Sequence, residues 1–202
     1  QPAHIINKER EVFKGYIPEN RTETRSNHLS HCMIGGIAPE FCSPLKMPIV
    51  MLNNVLGGPA MSSRLGLNIR EKYGFAYSIE SQYTAYSDTG LISVYMGVDP
   101  DSLEKAIGLV HKEIDKLCQQ KLGTLQLHHA KQQLIGQVAL SYESGMNELL
   151  GVTRSLLMGE PIEYMDDIIR KVDAVTADDI LDVANQVFDK KQLSQIVFEG
   201  EV

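Results

Sequence analysis

Residues 56–100 read LGGPAMSSRLGLNIREKYGFAYSIESQYTAYSDTGLISVYMGVDP, and this segment decides the fold. After the glycine pair, Ser62 and Ser63 are candidate N-caps, because a serine oxygen can accept the free backbone N–H groups at a helix start. The pattern predicts a short helix that Gly74 ends. Two strands joined by a polar turn are predicted next, over residues 75–83 and 89–98.

Upstream of this segment, the sequence predicts two strands and a longer helix. Strand-like patterns at 12–17 and 28–37, separated by a polar turn at 18–27, indicate a hairpin or a strand pair. Apolar residues then recur at three- and four-residue spacing over 43–56, which is one face of a helix that the following glycines stop.

Downstream of Pro100 the apolar period changes from two to 3.6. One stripe consists of Leu103, Ile107, Val110, Ile114 and Leu117. Further helical patterns cover residues 124–142, 146–158, 162–171 and 176–188, and a short strand at 193–198 closes the chain. Strands first, helices after and one final strand predict the α+β class: an antiparallel sheet with helices packed on one face. We expect residues 1–202 to form one domain.

The composition excludes several classes of protein. A formal charge of -7 argues against a nucleic-acid partner, because phosphate binding needs clustered Lys and Arg. No run of apolar residues reaches the length of a membrane span. The widely spaced Cys32, Cys42 and Cys118 predict reduced thiols rather than a disulfide framework. The chain starts at Gln1 without a signal-peptide pattern, so we expect a piece of a larger or processed protein, in the cytoplasm.

Metal chemistry needs clustered donors, and the six histidines form neither HxxEH nor HExxH. His28 and His31 lie in strand-like sequence, where a separation of three places their side chains on opposite faces. We therefore predict no metal ligand in this segment and interpret these two residues as sheet histidines.

Nucleophilic catalysis has equally little support. The loop GGPAMSS does not match GxSxG, and helix capping explains its serines. Cys42 has no evident local base. The acidic pairs at 166–167 and 178–179 fall in first turns of predicted helices, where carboxylates favour the helix dipole, and Thr176 caps with Asp179. We predict no catalytic residue in this segment.

Arg70 and Tyr77 form the candidate substrate-binding pair. Arg70 lies near the end of the short helix and Tyr77 near the start of the next strand, so the turn between them could present both side chains at a sheet edge. A guanidinium and a phenol are both good donors to a peptide carbonyl. From the residues alone, a surface arginine beside a core tyrosine remains the alternative.

The segment closely resembles the second-domain signature of the inverted-motif zinc peptidases, which include pitrilysin, insulin-degrading enzyme and the mitochondrial processing peptidases. The resemblance rests on LGG, MSSRL, IREK, AYS, SDTG and the final DP of residues 56–100, and extends more loosely over nearly the whole chain. The sequence departs from the family pattern at Gly66, Asn68, Tyr73 and Phe75, which puts substrate packing or hinge contacts in doubt.

The resemblance implies one half of a clamshell built from homologous α+β domains. In this family the first domain holds zinc through HxxEH and a downstream glutamate. The second domain supplies an arginine and a tyrosine that grip the substrate backbone, at positions that match Arg70 and Tyr77. The resemblance therefore implies the zinc-free C-terminal domain of a metalloendopeptidase that cleaves unstructured peptides, inactive when isolated.

The implied partners are an N-terminal domain or subunit with HxxEH, a peptide substrate, and a second chain in a homo- or heterodimer. Two alternatives stay open. One is a non-catalytic partner or scaffold subunit of a two-component peptidase or complex, and the other is a free-standing peptide-binding domain. The reading frame upstream of Gln1 discriminates between the peptidase domain and the non-catalytic partner subunit.

Overall fold

The computed structural model describes residue 11 and residues 13–201. Its strands are β1 Asn20–Arg25, β2 Ser30–Ala38, β3 Ala76–Ala85, β4 Gly90–Val98 and β5 Ser194–Gly200. Its α-helices are α1 Lys46–Gly57, α2 Leu103–Gln119, α3 Thr124–Tyr142, α4 Gly145–Met158, α5 Met165–Ala174 and α6 Ala177–Val187. A short π-helix, Gly66–Glu71, precedes β3, and a 3-10 turn, Pro100–Ser102, precedes α2.

The five strands form one sheet in the order β1-β5-β2-β4-β3. Three of its neighbouring pairs are antiparallel, and only the β1–β5 pair at the edge is parallel. The predicted hairpin of β3 and β4 is confirmed, with Ala85 opposite Gly90 beside the turn.

One face of the sheet carries the core. Along β4, the alternate residues Ile92, Val94, Met96 and Val98 are all fully buried. Full burial of such a side chain contributes about 1.5–3 kcal/mol. Helices α1, α2 and α6 cover this face. The opposite face is open, and its residues Met33, Leu91, Ile196 and Phe198 are exposed. The α+β class with helices on one face is confirmed.

The helices form two layers over that core. The predicted stripe of α2 is buried along its whole length. Helices α3 and α5 pack on each other and on α1, which places them outside the first layer. Helix α4 contacts mainly α3 and has no buried residue. Among the described residues, no helix is both long and apolar enough to cross a bilayer.

The N-terminal hairpin is a wrong prediction. Val12 lies outside the described residues, and residues 13–17 form no strand. The stretch predicted as a turn, 18–27, instead contains β1, which pairs in parallel with β5 and not with β2. Because β1 is almost wholly exposed, its sequence NRTETR has no apolar alternation that would predict a strand.

Candidate functional site

Arg70 and Tyr77 lie on either side of one tight helix-to-strand turn. The π-helix ends as Gly74 N–H donates to Arg70 O at 3.0 Å and Phe75 N–H donates to Ile69 O at 3.3 Å. Gly74 has a φ of +65°, a conformation that glycine adopts without a steric penalty. β3 begins two residues later. The predicted helix end and the predicted strand start are both confirmed.

Tyr77 occupies an irregularity at the start of β3. Ala76 pairs with Val98 and Ser78 pairs with the next residue of β4, Gly97, so Tyr77 is left without a partner. Such a bulge adds one residue to a strand and redirects its side chain. The Tyr77 side chain is 63% exposed, which excludes the alternative of a core tyrosine.

The two polar side chains are exposed and have no partner among the described residues. Arg70 is exposed, and neither its guanidinium nor the Tyr77 hydroxyl has a hydrogen bond or ion pair with another residue described in the structure. A guanidinium carries five donors and a phenol one. The turn therefore presents two free donors of the kind that a peptide carbonyl accepts. The π-helical form of the turn is itself frequent at functional sites.

Buried residues on the inner side of the turn hold it in place. Leu65 and Ile69 are fully buried, at 0% exposure, and the Ser63 hydroxyl accepts a bond from Gly66 N at 3.4 Å. Ser63 therefore bonds to the first residue of the π-helix, whereas the N-cap position itself, Leu65, has no side-chain capping bond. A Cβ at Gly66 would lie 2.9 Å from Ser63 Oγ, so the small residue at this family departure leaves room for that hydroxyl.

Two departures from the family pattern, Tyr73 and Phe75, flank Gly74 in the turn, and Phe75 also packs against the buried core. The rings of Tyr73 and Phe75 stack with centroids 5.5 Å apart, and Lys72 Nζ lies 5.4 Å from the Tyr73 centroid. Among the described residues, neither ring has a ring contact with Arg70 or Tyr77.

The open sheet face continues from this turn. Ser78 lies opposite Gly97, which lies opposite His31, and the Tyr95 hydroxyl is 2.9 Å from His31 Nδ1. A Cβ at Gly97 would lie 3.6 Å from that hydroxyl and 3.0 Å from Ser78 Oγ. The His31–Tyr95 pair has no local signal in the sequence, because it depends on the register of two strands more than sixty residues apart.

The described residues do not fit a zinc ion. No three His, Cys, Asp or Glu side chains within residues 11 and 13–201 lie together as a metal site would require. His31 bonds to Tyr95, and the rings of His128 and His129 are 6.1 Å apart. His28 lies before β2 rather than in it.

The serine and cysteine side chains that could act as nucleophiles have other surroundings in the structure. Ser62 Oγ donates to Gln133 Oε1 at 2.9 Å. The three thiols are free. A hydrogen bond to Glu160 raises the pKa of the exposed Cys42 thiol, while burial raises the pKa of Cys32 to about 12 and that of Cys118 to about 11. These raised pKa values favour the protonated thiols, whereas an activated nucleophile has a lowered pKa.

A cleft lies elsewhere, on the helical side of the domain. It encloses about 600 Å³ between α1, α2 and α3, and its lining includes Arg64, Glu113 and Lys116. Glu113 is buried and pairs with Lys116 Nζ at 2.6 Å. Desolvation lowers the pKa of Arg64, partly offset by the Glu113 charge. Arg70 and Tyr77 do not line this cleft, so their site is an exposed surface.

A family described as "Peptidase M16 inactive domain" matches residues 2–134, about two thirds of the chain. The chain is 28% identical over 170 residues to an uncharacterized zinc protease, YmxG, of Bacillus subtilis, covering 84% of this chain and 41% of that protein. It is 25% identical over 169 residues to human mitochondrial-processing peptidase subunit alpha, covering 79% of this chain and 32% of the relative.

Solved structures share the fold. The peptidase M16 inactive domain from Pseudomonas fluorescens superposes with a TM-score of 0.84 at 17% identity, over 95% of this chain and 46% of that one. A chain of known fold from Enterococcus faecalis gives a TM-score of 0.77 at 23% identity, over 95% and 44%. The chain spans about two fifths of the length of the first curated relatives that it matches. By its sequence match, this chain belongs to the peptidase M16 inactive-domain family.

Proposed function

We propose that this chain is the substrate-binding half of a zinc-dependent metalloendopeptidase that cleaves unstructured peptides, with the zinc carried by a separate N-terminal domain. One observation carries the proposal: Arg70 and Tyr77 are exposed and unpartnered among the described residues, on either side of the turn at Gly74. The alternative of a merely structural pair would place the tyrosine in the core or the arginine in an ion pair.

The two side chains would hold a peptide by its backbone. The Arg70 guanidinium and the Tyr77 hydroxyl each donate to a carbonyl oxygen of the bound chain. Carbonyl groups of folded proteins are almost all paired already, so such a grip favours unstructured segments. Holding the backbone still raises the rate of a step performed elsewhere, because fewer orientations remain to be searched. No step of the metal chemistry is assigned to this chain.

The test uses the whole protein with Arg70→Ala or Tyr77→Phe. Each change should lower kcat/KM for an unstructured peptide by about tenfold to a hundredfold, since one donor to the substrate is lost. Zinc content and melting temperature should not change. Tyr73→Phe is the matched control, since it alters an exposed tyrosine of the same turn that we do not place in the grip. Unchanged kinetics in both variants would refute the assignment.

The second candidate is a non-catalytic partner or scaffold subunit of a two-component peptidase. It is favoured by the likeness to a protein named as a subunit, mitochondrial-processing peptidase subunit alpha. The upstream reading frame separates the two: HxxEH in a preceding homologous half indicates the enzyme, and a homologous half without it indicates the partner. A cytoplasmic location stays part of the proposal.

A free-standing peptide-binding domain is the remaining alternative. It predicts that the 202-residue chain binds unstructured peptide weakly on its own, and that Arg70→Ala or Tyr77→Phe removes this binding. The leading proposal predicts instead that the 202-residue chain is inactive alone. Stoichiometric zinc and unaided cleavage by this chain would contradict every version of the proposal.

A further inference from the structure

Helix α4 presents its apolar side to solvent. Met146, Leu149, Leu150 and Leu157 recur at spacings that place them on one side of the helix, and they are 59–81% exposed. We call these four residues the outer stripe. An ordinary surface helix buries its apolar side against the core. Helix α4 instead turns its apolar side toward solvent.

The inner side of α4 is weakly attached. Val152, Ser155 and Met158 face the domain and are only half-buried. Among the described residues, Arg154 attaches the helix to the domain: its Nη2 donates to the carbonyl oxygen of Ala85 at 2.5 Å, and its guanidinium lies 4.7 Å from the centroid of the Phe41 ring. Leaving four large apolar side chains in water forgoes about 1.5–3 kcal/mol for each one that could be buried. A contiguous apolar patch of this kind on a soluble protein marks an interaction surface.

We propose that the outer stripe is the docking surface for the other half of the protein, the homologous N-terminal half. This inference rests on the proposed function and adds to it the place of contact. A cleft of about 300 Å³ lies beside α4 and is lined by Glu148, Ile162 and Tyr164. This cleft could accept side chains of the partner.

Charge separates this occupant from a second copy of the chain. Residues 140–171 contain six carboxylates and three cations, and two of the carboxylates, Glu163 and Asp167, are paired with Lys171 and Arg170, so an excess of negative charge remains. A twofold dimer through α4 would set this acidic rim against itself, because a symmetric interface uses the same patch on both subunits. Like charges facing each other oppose association. A partner with an apolar strip and a basic rim would complement this surface.

Size points to the same occupant. A helix of 14 residues is about 21 Å long, and its stripe alone falls short of the roughly 800 Å² per partner that stable interfaces bury. The exposed Leu140 and Tyr164 extend the patch on either side of the helix. Because the chain spans only 41% and 38% of two relatives, those proteins have ample further chain to cover a surface of this extent.

Hydrogen exchange compares the full-length protein with the 202-residue chain. The amides of α4 should exchange about tenfold or more slowly in the full-length protein, because docking suppresses local opening of a weakly held helix. The first turns of α3, around the exposed Leu125, serve as the reference and should exchange equally in both. Equal exchange of α4 in both proteins would overturn the inference and leave the proposed function intact.

Two variants give an independent measurement. Leu150→Glu and Leu157→Glu should leave the melting temperature of the 202-residue chain unchanged, since both side chains are exposed, and should remove the protection of α4 in the full-length protein. Leu125→Glu is the matched control and should keep that protection. A 202-residue chain that dimerises in sedimentation, with α4 protected only in the dimer, would show that a second copy occupies the stripe and would refute the inference. A reading frame that encodes no homologous N-terminal half would instead contradict the proposed function itself.

Discussion

Gly57, the last residue of α1, lies directly against the backbone of Ser81 in the middle of β3. A Cβ on Gly57 would stand 2.6 Å from the Ser81 nitrogen and 2.8 Å from Leu65 Cδ1. The Ser81 hydroxyl donates to the carbonyl oxygen of Asn53, one turn earlier in α1, at 3.0 Å. The end of α1, the edge strand and the π-helix therefore meet at one point, which fixes the frame that carries Arg70.

We expect Gly57→Ala to lower the free energy of unfolding by about 1–3 kcal/mol, because the new methyl group meets backbone atoms that cannot move aside. Gly136→Ala in α3 is the matched control, since a Cβ there meets nothing within 4 Å. It should raise stability by about 0.5–1 kcal/mol through better helix propensity. Urea unfolding measures both. Equal effects of the two changes would contradict the close approach.

Gly74→Ala tests whether the turn sets the substrate grip. The φ of Gly74 is +65°, and that of Gly159, at the end of α4, is +71°. Alanine at either position should cost about 1–2 kcal/mol of stability from backbone strain. Only Gly74→Ala should also lower kcat/KM of the full-length protein, because only that turn positions Arg70 and Tyr77. A similar kinetic loss in Gly159→Ala would point to general destabilisation.

The start of α6 should make stability depend on pH. Thr176 N–H and Oγ1–H both donate to Asp179 Oδ2, at 2.8 and 2.7 Å, and these bonds lower the pKa of Asp179 below its ordinary 3.8. A lowered folded pKa means that the stabilisation is present above pH 3.8 and is lost as the pH falls through the folded value.

Thr176→Ala should therefore cost about 1 kcal/mol at neutral pH, and the difference from the unsubstituted protein should shrink below that acidic point. Thr176→Ser keeps a hydroxyl at the cap and should restore most of the loss. Urea unfolding from pH 7 down to about pH 2 checks both expectations, because the loss falls below pH 3.8. A difference that stays constant over this pH range would argue against the Asp179 bond as its origin.

The three thiols should react in a fixed order. Cys42 is exposed, whereas burial raises the pKa of Cys32 to about 12 and that of Cys118 to about 11. A maleimide at pH 8 should label Cys42 first, and mass spectrometry measures the extent of labelling at each cysteine. Glu160→Gln should speed this labelling, because the hydrogen bond to Glu160 raises the pKa of Cys42 and lowers its thiolate fraction. Glu163→Gln, at a carboxylate paired with Lys171, is the control and should change little.

Much of the fold was predictable because its signals are local. The apolar stripe from Leu103 to Leu117 and the alternation from Ile92 to Val98 record burial on one side, and every one of these predicted core residues is buried. Helix α3 has the predicted bounds, 124–142. Thr176 with Asp179 caps the helix that follows it, as predicted. Such signals operate within a few residues, so they can be read without the tertiary structure.

The sequence by itself determined the α+β class, the helix-to-strand turn at Gly74 and the identity of Arg70 and Tyr77 as candidate donors. Only the tertiary structure decided that NRTETR is a strand, because its partner β5 lies some 170 residues away and neither local burial nor local spacing encodes that pairing. The same holds for the bulge that exposes Tyr77 and for the direction in which α4 faces. Each depends on which surfaces other elements cover, and that is settled by long-range packing.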